Sequence, residues 1–210
     1  MNNTKDYWNK VADIKQFTHN LLINEISDKI NNNSKILDVG CGYGRTLNEF
    51  YRHNYYNLTG IDFSENMILR AQKLFPKIRF NVMPDNQIPF NDNTFDCVIL
   101  FAVLTCIIKN QDQEKIINEI YRVLKPKGLI YISDYLLNTD SRNIERYEKY
   151  KNKYENYGTF EIEQNGIVRH HDRIWIKKLT SKFTEINYKE IVHTTMNGNK
   201  SNGFYFIGEK

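Results

Sequence analysis

Residues 35–46 read KILDVGCGYGRT, and this stretch decides how the rest of the chain folds. The apolar pair Ile36 and Leu37 runs into an acid, Asp38, and glycines follow at Gly40, Gly42 and Gly44. The next residues, TLNEFY, continue as a helix-like segment. The pattern predicts a strand, a tight turn and a helix. Glycines at alternate positions permit positive φ and let a ligand approach the backbone without meeting a Cβ. Such a turn delivers the ligand to a helix N-terminus at the carboxyl end of a strand, where open α/β sheets bind.

The ligand is constrained by two acids. The spacing is G-x-G-x-G, not the G-x-G-x-x-G of dinucleotide sites. Asp38, two residues before the first glycine, would sit poorly beside a pyrophosphate and suits an amino group. A second acid, Asp62, closes the apolar segment LTGID, eighteen residues past Gly44. A carboxylate there can accept from both hydroxyls of a ribose. A nucleoside that carries an amino acid and no phosphate satisfies both acids, and S-adenosylmethionine is such a molecule.

Outward from this turn, hydrophobic runs alternate with helical patterns. Strands are expected at 35–39, 58–62, 78–82, 96–101 and 129–134. Between them fall a helix capped by Ser64 and stopped near Pro76, and one from Asn110 to the Lys125–Gly128 stop. Strands alternating with helices predict a mostly parallel sheet with helices on both faces. Residues 184–195 and 203–208 read as an antiparallel edge hairpin around NGNKSN. The spacing of Ile14, Phe17, Leu21, Leu22 and Ile26 predicts a helix over 14–30.

Composition excludes several classes. The 210 residues fit one domain with an adequate core. No run of 18 apolar residues or apolar leader appears, so neither membrane nor secretion is expected, and the chain reads as cytoplasmic. Cys41, Cys97 and Cys106 are odd in number and lack C-x-x-C spacing, which opposes a disulfide framework and a zinc site. No metal is expected. The net charge of +4 is mild and mixed, so no nucleic-acid partner is required.

Four segments in order carry a resemblance: ILDVGCGYG, GIDFSENMI, IPFNDNTFDCVILFAVL and EIYRVLKPKGLIYIS. Over roughly residues 35–135 the chain resembles the class I S-adenosylmethionine-dependent methyltransferases. The resemblance implies a Rossmann-like, doubly wound α/β fold with a seven-stranded sheet. It implies that Asp38, Gly40, Cys41 and Gly42 meet the methionine end of the cofactor, and that Asp62 holds its ribose. Phe63 and Met67 would flank the adenine, and Phe101 and Ala102 would border the methyl group. Relatives carry an acid at the adenine edge; here Pro84 stands in that slot and Asp85 one residue later, so either Asp85 or a backbone group serves. Thr105 and Cys106 would lie close by, the latter as a reactive thiol or a small buried filler. The product would be S-adenosyl-L-homocysteine.

Residues 138–173 are extra to that scheme and are read as a substrate cap inserted into a single domain, 1–210. SRNIERYEKYKNKYENY looks helical, with Tyr147, Tyr150, Tyr154 and Tyr157 on one stripe that is either core or a ligand cage. TFEIEQ, Asn165-Gly166 and IVRHHD read as a hairpin with a two-residue turn. That turn pairs Gln164 with Ile167, Ile162 with Arg169 and Phe160 with His171. It turns His171 and Arg169 inward and His170 to solvent. If the hairpin lids the pocket, His171 is the candidate base and Arg169 the partner of an acidic group on the acceptor; the alternative is that both are structural and stabilise the hairpin. The expected activity is methyl transfer to a small polar organic acceptor at oxygen or nitrogen, by a monomer or homodimer. The rivals are an RNA or protein methyltransferase, a non-catalytic binder of the same cofactor and a nicotinamide oxidoreductase.

Overall fold

The structure is a computed structural model and describes residues 2–84, 87–195 and 197–210. Among these, seven strands form one sheet in the order β3-β2-β1-β4-β5-β9-β8. The strands are β1 (Ile36–Val39), β2 (Leu58–Asp62), β3 (Arg79–Val82), β4 (Phe95–Phe101) and β5 (Leu124–Tyr135), then β8 (Thr184–Thr194) and β9 (Lys200–Glu209). Neighbours pair in parallel up to β5, and β9 then runs antiparallel to both β5 and β8. The expected edge hairpin is therefore present. Between β5 and β8 the chain adds a two-stranded sheet, β6 (Thr159–Ile162) and β7 (Gly166–Arg169).

Strand alternation builds a core on each face of the sheet. Leu37, Val98, Leu100, Ile130, Ile132, Phe204 and Phe206 point to one face. They pack there with Ile116, Ile117 and Ile120 of α4 (Asn110–Val123) and Ile176 and Leu179 of α6 (Arg173–Thr180). Ile36, Cys97, Ile99, Tyr131, Tyr205 and Ile207 point to the other. Leu47 and Phe50 of α2 (Arg45–Arg52) and Ile68 and Ala71 of α3 (Glu65–Leu74) cover them. Successive strand residues face opposite ways, so burial on both faces demands the near-continuous apolar runs seen in β1 and β4. Ser64 caps α3 as expected, its hydroxyl accepting from the Met67 N–H at 3.2 Å. Among the described residues no helix is long and apolar enough to cross a membrane.

Two expectations about helices are corrected, and one helix was not expected. The helix read over 14–30 is absent; the N-terminal helix is α1 (Asn2–Val11), and residues 15–22 are irregular. The intervening Thr18, His19 and Asn20 are weak helix formers, and Phe17 and His19 find burial at the sheet's carboxyl end instead. The tyrosine stripe does not persist, because α5 (Ser141–Tyr150) stops at Tyr150. Tyr147 is buried and Tyr157 is exposed. Finally, α6 lies in a stretch left unassigned by the sequence pattern, capped by Asp172 through the N–H groups of Ile174 and Trp175.

The β6–β7 hairpin has a different register from that expected. Its turn is Glu163–Asn165, with Gln164 and Asn165 at φ 60° and 64°. Ile162 pairs Gly166, Phe160 pairs Val168 and Thr159 pairs Arg169. The glycine serves close packing here, not the turn: a Cβ at Gly166 would come within 2.8 Å of the Tyr7 ring. Because side chains alternate, this slip reverses which residues face inward. Phe160, Ile162, Val168 and His170 share one face, and Arg169 and His171 lie on the other.

The insertion is tied down at Gly158, whose φ is 87°. A Cβ there would stand 2.4 Å from the His170 carbonyl oxygen. Gly158→Ala is expected to destabilise the protein by more than about 1 kcal/mol. A lowered urea midpoint with an unchanged m-value checks this.

Candidate active site

The sheet order reverses between β1 and β4, and a cavity opens there at the carboxyl ends of the strands. Asp38, Gly40, Cys41 and Gly42 line it from the β1 turn, and Asp62, Phe63 and Met67 from β2 and α3. Phe101 and Ala102 follow from the end of β4, where Ala102 holds φ 53°. Asp85 lies outside the described residues.

The turn is held by backbone bonds to β2. The N–H groups of Gly40 and Cys41 both donate to the Ile61 carbonyl, at 2.8 and 3.0 Å. The Asp62 carboxylate accepts from Gly42 N–H at 2.9 Å and Ser64 N–H at 2.8 Å. Each oxygen keeps further lone-pair capacity. Gly42 has φ 53°, and a Cβ on it would lie 2.2 Å from the Phe17 ring. Phe17 stacks on Tyr43 at 5.0 Å, so an aromatic side chain lies over the glycine turn.

The two acids are strained electrostatically. Burial pushes Asp38 up to about 8, with Arg45 opposing and Asp62 reinforcing the rise. Burial likewise raises Asp62 to about 6 against its two backbone donors. No hydrogen bond from the described residues stabilises the Asp38 carboxylate. A buried, unpartnered carboxylate is costly and calls for a cation or a proton.

Sequence reasoning missed several lining residues. Tyr7 and Trp8 of α1, with Phe17 and His19, line the cavity. Tyr135, at the end of β5, and His170 also line it. The helical spacing that includes Phe17 is compatible with covering either the sheet edge or the site, and it does not reach Tyr7, Trp8 or His19. Thr105 and Cys106 also line the cavity, and burial raises the Cys106 thiol far above its ordinary value.

His171 and Arg169 are not brought to the cavity. His171 is fully buried behind it, with Nδ1 3.0 Å from the Tyr135 carbonyl and Nε2 2.9 Å from Gln113 Nε2. Burial and the neighbouring Arg169 push it down to about 3. The Arg169 guanidinium donates to Ile108 O at 3.2 Å and Asn110 Oδ1 at 2.6 Å, bracing the start of α4. Both side chains serve the packing of the hairpin against the main sheet, and the register slip is the reason.

A family model described as a methyltransferase domain matches residues 37–132. A crystal structure of a SAM-dependent methyltransferase from Methanosarcina mazei superimposes with a TM-score of 0.83 at 26% identity, over 89% of this chain and 96% of that one. Residues 37–132 thus carry a methyltransferase domain, and the chain is similar in sequence and fold to S-adenosylmethionine-dependent methyltransferases. Among curated relatives, the ubiquinone/menaquinone biosynthesis C-methyltransferase UbiE of Rickettsia felis is 34% identical over 60% of this chain and 55% of that one. The carboxy-S-adenosyl-L-methionine synthase of Campylobacter fetus is 32% identical over 66% and 62%. The chain spans about half the length of the first curated relatives it matches.

The residues present fit the family's cofactor. Asp38, once ionised, offers a carboxylate with no hydrogen-bond donor among the described residues to an amino group, and Asp62 offers free lone pairs to hydroxyl donors. Phe63 and Met67 supply apolar surface beside them.

The acids make stability depend on pH. Above about pH 7 the unfolded histidines have lost most of their protons, so the buried histidines, held neutral in the folded chain, add only a small opposing slope. There Asp38, at about 8, and Asp134, at about 7, still bind protons in the folded state that the unfolded chain has released. Stability of the ligand-free protein is therefore expected to fall from about pH 7 to 8. Asp38→Asn should flatten that fall and raise the urea midpoint at pH 8.

Proposed function

We propose that the chain transfers a methyl group from S-adenosylmethionine to a small polar organic acceptor, at oxygen or nitrogen. The observation that carries this reading is the unpartnered Asp38 carboxylate beside the Asp62-pinned glycine turn, opening on a cavity walled by aromatic side chains. Bound there, the cofactor would supply an electrophilic methyl group on a sulfonium whose leaving group is neutral. Asp38 would bind the amino group and Asp62 the ribose hydroxyls. Phe63 and Met67 would hold the adenine, and Phe101 and Ala102 would border the transferred group.

The protein's own contribution is placement and exclusion of water. Orientation of this kind can lower a barrier by roughly 7–11 kcal/mol. Residues 138–173 act as the substrate cap: Ile162, Val168 and His170 face the cavity from the insertion. His19 and His170 are both held neutral by burial, and the Cys106 thiol is held protonated. An acceptor that arrives as a nucleophile, such as an amine or a preformed anion, suits this wall.

A carbon acceptor is the second reading, favoured by the naming of the Rickettsia relative as a C-methyltransferase. Product analysis after incubation with methyl-13C-labelled cofactor and candidate acceptors separates O-, N- and C-methyl signals.

The reading is tested first by calorimetric titration with S-adenosylmethionine, S-adenosylhomocysteine and NAD. Micromolar binding of the adenosyl ligands and none of NAD is expected. Binding of NAD alone would overturn the assignment. Hydrogen bonds to a charged group contribute roughly 1.5–3 kcal/mol, so Asp62→Ala should weaken cofactor affinity by about one to two decades. An unchanged affinity would remove Asp62 from the site.

A further inference from the structure

One imidazole on the cavity wall has its hydrogen bonding settled from behind. His170 Nδ1 lies 2.6 Å from the Tyr147 hydroxyl and 3.2 Å from Asn138 Nδ2. The Asn138 amide is oriented by its oxygen, which accepts from Asn202 N–H at 2.7 Å. Its nitrogen therefore faces His170 and can only donate. The Tyr147 hydroxyl accepts from Asn138 N–H at 3.3 Å and has one proton to give. Among the described residues His170 Nδ1 is its acceptor.

The Tyr147 hydroxyl thus requires a lone pair on Nδ1, and the Asn138 amide nitrogen, whose two protons also reach Leu136 O at 2.9 Å and Ser201 Oγ at 3.1 Å, offers no acceptor to a proton there. A neutral imidazole that accepts at Nδ1 carries its proton on Nε2. Protonating Nδ1 as well would set it against the Asn138 amide and strip the buried Tyr147 proton of its acceptor. The cations Arg146 and Arg142 of α5 add to this, and burial is the largest cause holding the ring neutral, with His171 also opposing. The ring cannot swing. It stacks on Tyr135 at 5.3 Å and 20° and meets Phe160 edge-on at 5.0 Å and 87°. Nε2 has no partner among the described residues, and His170 lines the cavity.

We propose that His170 presents a fixed, neutral Nε2–H donor to the cavity and selects methyl acceptors that carry a hydrogen-bond-accepting oxygen. It is a specificity residue and not a base, because its lone pair is turned away from the cavity. This rests on the methyltransferase reading for the word acceptor, but the tautomer does not depend on it.

Two-bond 1H–15N correlation spectra of the 15N-histidine-labelled full chain read the tautomer directly, with and without S-adenosylhomocysteine. The His170 signals, assigned by their loss in His170→Gln, should show Nδ1 without a proton and Nε2 with one, unchanged from pH 5 to 8. Tyr147→Phe should relax this into a mixture of tautomers. A proton on Nδ1 in the wild-type protein would overturn the proposal. Selection is read with acetophenone and ethylbenzene, which differ in an acceptor-only oxygen. Acetophenone should bind the S-adenosylhomocysteine complex roughly ten-fold more tightly, by one net hydrogen bond. His170→Phe should abolish the preference and His170→Gln, which keeps an N–H, should retain part of it. Equal binding of the pair, no binding of acetophenone, or a preference that survives in His170→Phe would each overturn selection by His170. Failure of the cofactor to bind at all would instead sink the methyltransferase reading and leave the tautomer result standing.

Discussion

The Asp62 carboxylate is the contact on which the site depends. One oxygen takes the Gly42 N–H and the other the Ser64 N–H, so one side chain joins the glycine turn after β1 to the start of α3. Burial makes this carboxylate expensive, and its two backbone donors offset part of the cost. The turn they stabilise exposes backbone that other side chains would cover. The clamp adds to the Gly40 and Cys41 bonds to the Ile61 carbonyl in holding the carboxyl ends of β1 and β2 together.

A second layer of order comes from the insertion. Thr105, just beyond β4, donates its hydroxyl to the Arg169 carbonyl at 2.8 Å, while its N–H donates to Asp134 Oδ2 at 3.2 Å. His171 continues the link by pairing its backbone with Tyr135 and Leu137. The β6–β7 hairpin is thereby fastened to the end of β5 and to the start of α4. Its inner face, with Ile162, Val168 and His170, becomes one wall of the cavity. The residues that do the fastening, Arg169 and His171, are consequently unavailable to a substrate. Polar side chains committed to the joint between two substructures cannot also meet a ligand.

Much of this was legible in the chain itself. The acids and glycines at 38–44 and the acid at 62 lie within a few residues of strands whose apolar runs leave little choice of direction. Local pattern and tertiary position agree there, because a strand buried on both faces must emerge at the sheet's carboxyl end. The strand alternation that sorts Ile36 from Leu37 into opposite cores follows from the same constraint. The hairpin was less legible. Asn165-Gly166 is a valid two-residue turn by local chemistry, and the chain adopts another turn because Tyr7, some 160 residues away in sequence, packs on the glycine.

What local chemistry determined was therefore the sheet, its glycine turn and the two carboxylates that line the cavity. Only the folded molecule decided which histidine meets the cavity, that Phe17 and His19 line it from an irregular segment, and that Tyr147 sets the His170 proton. These outcomes turn on contacts between segments far apart in the chain, and in a hairpin a single residue of register exchanges the buried face for the other. Periodicity carries no information about such contacts, whereas side-chain packing in three dimensions selects between registers that are locally equivalent.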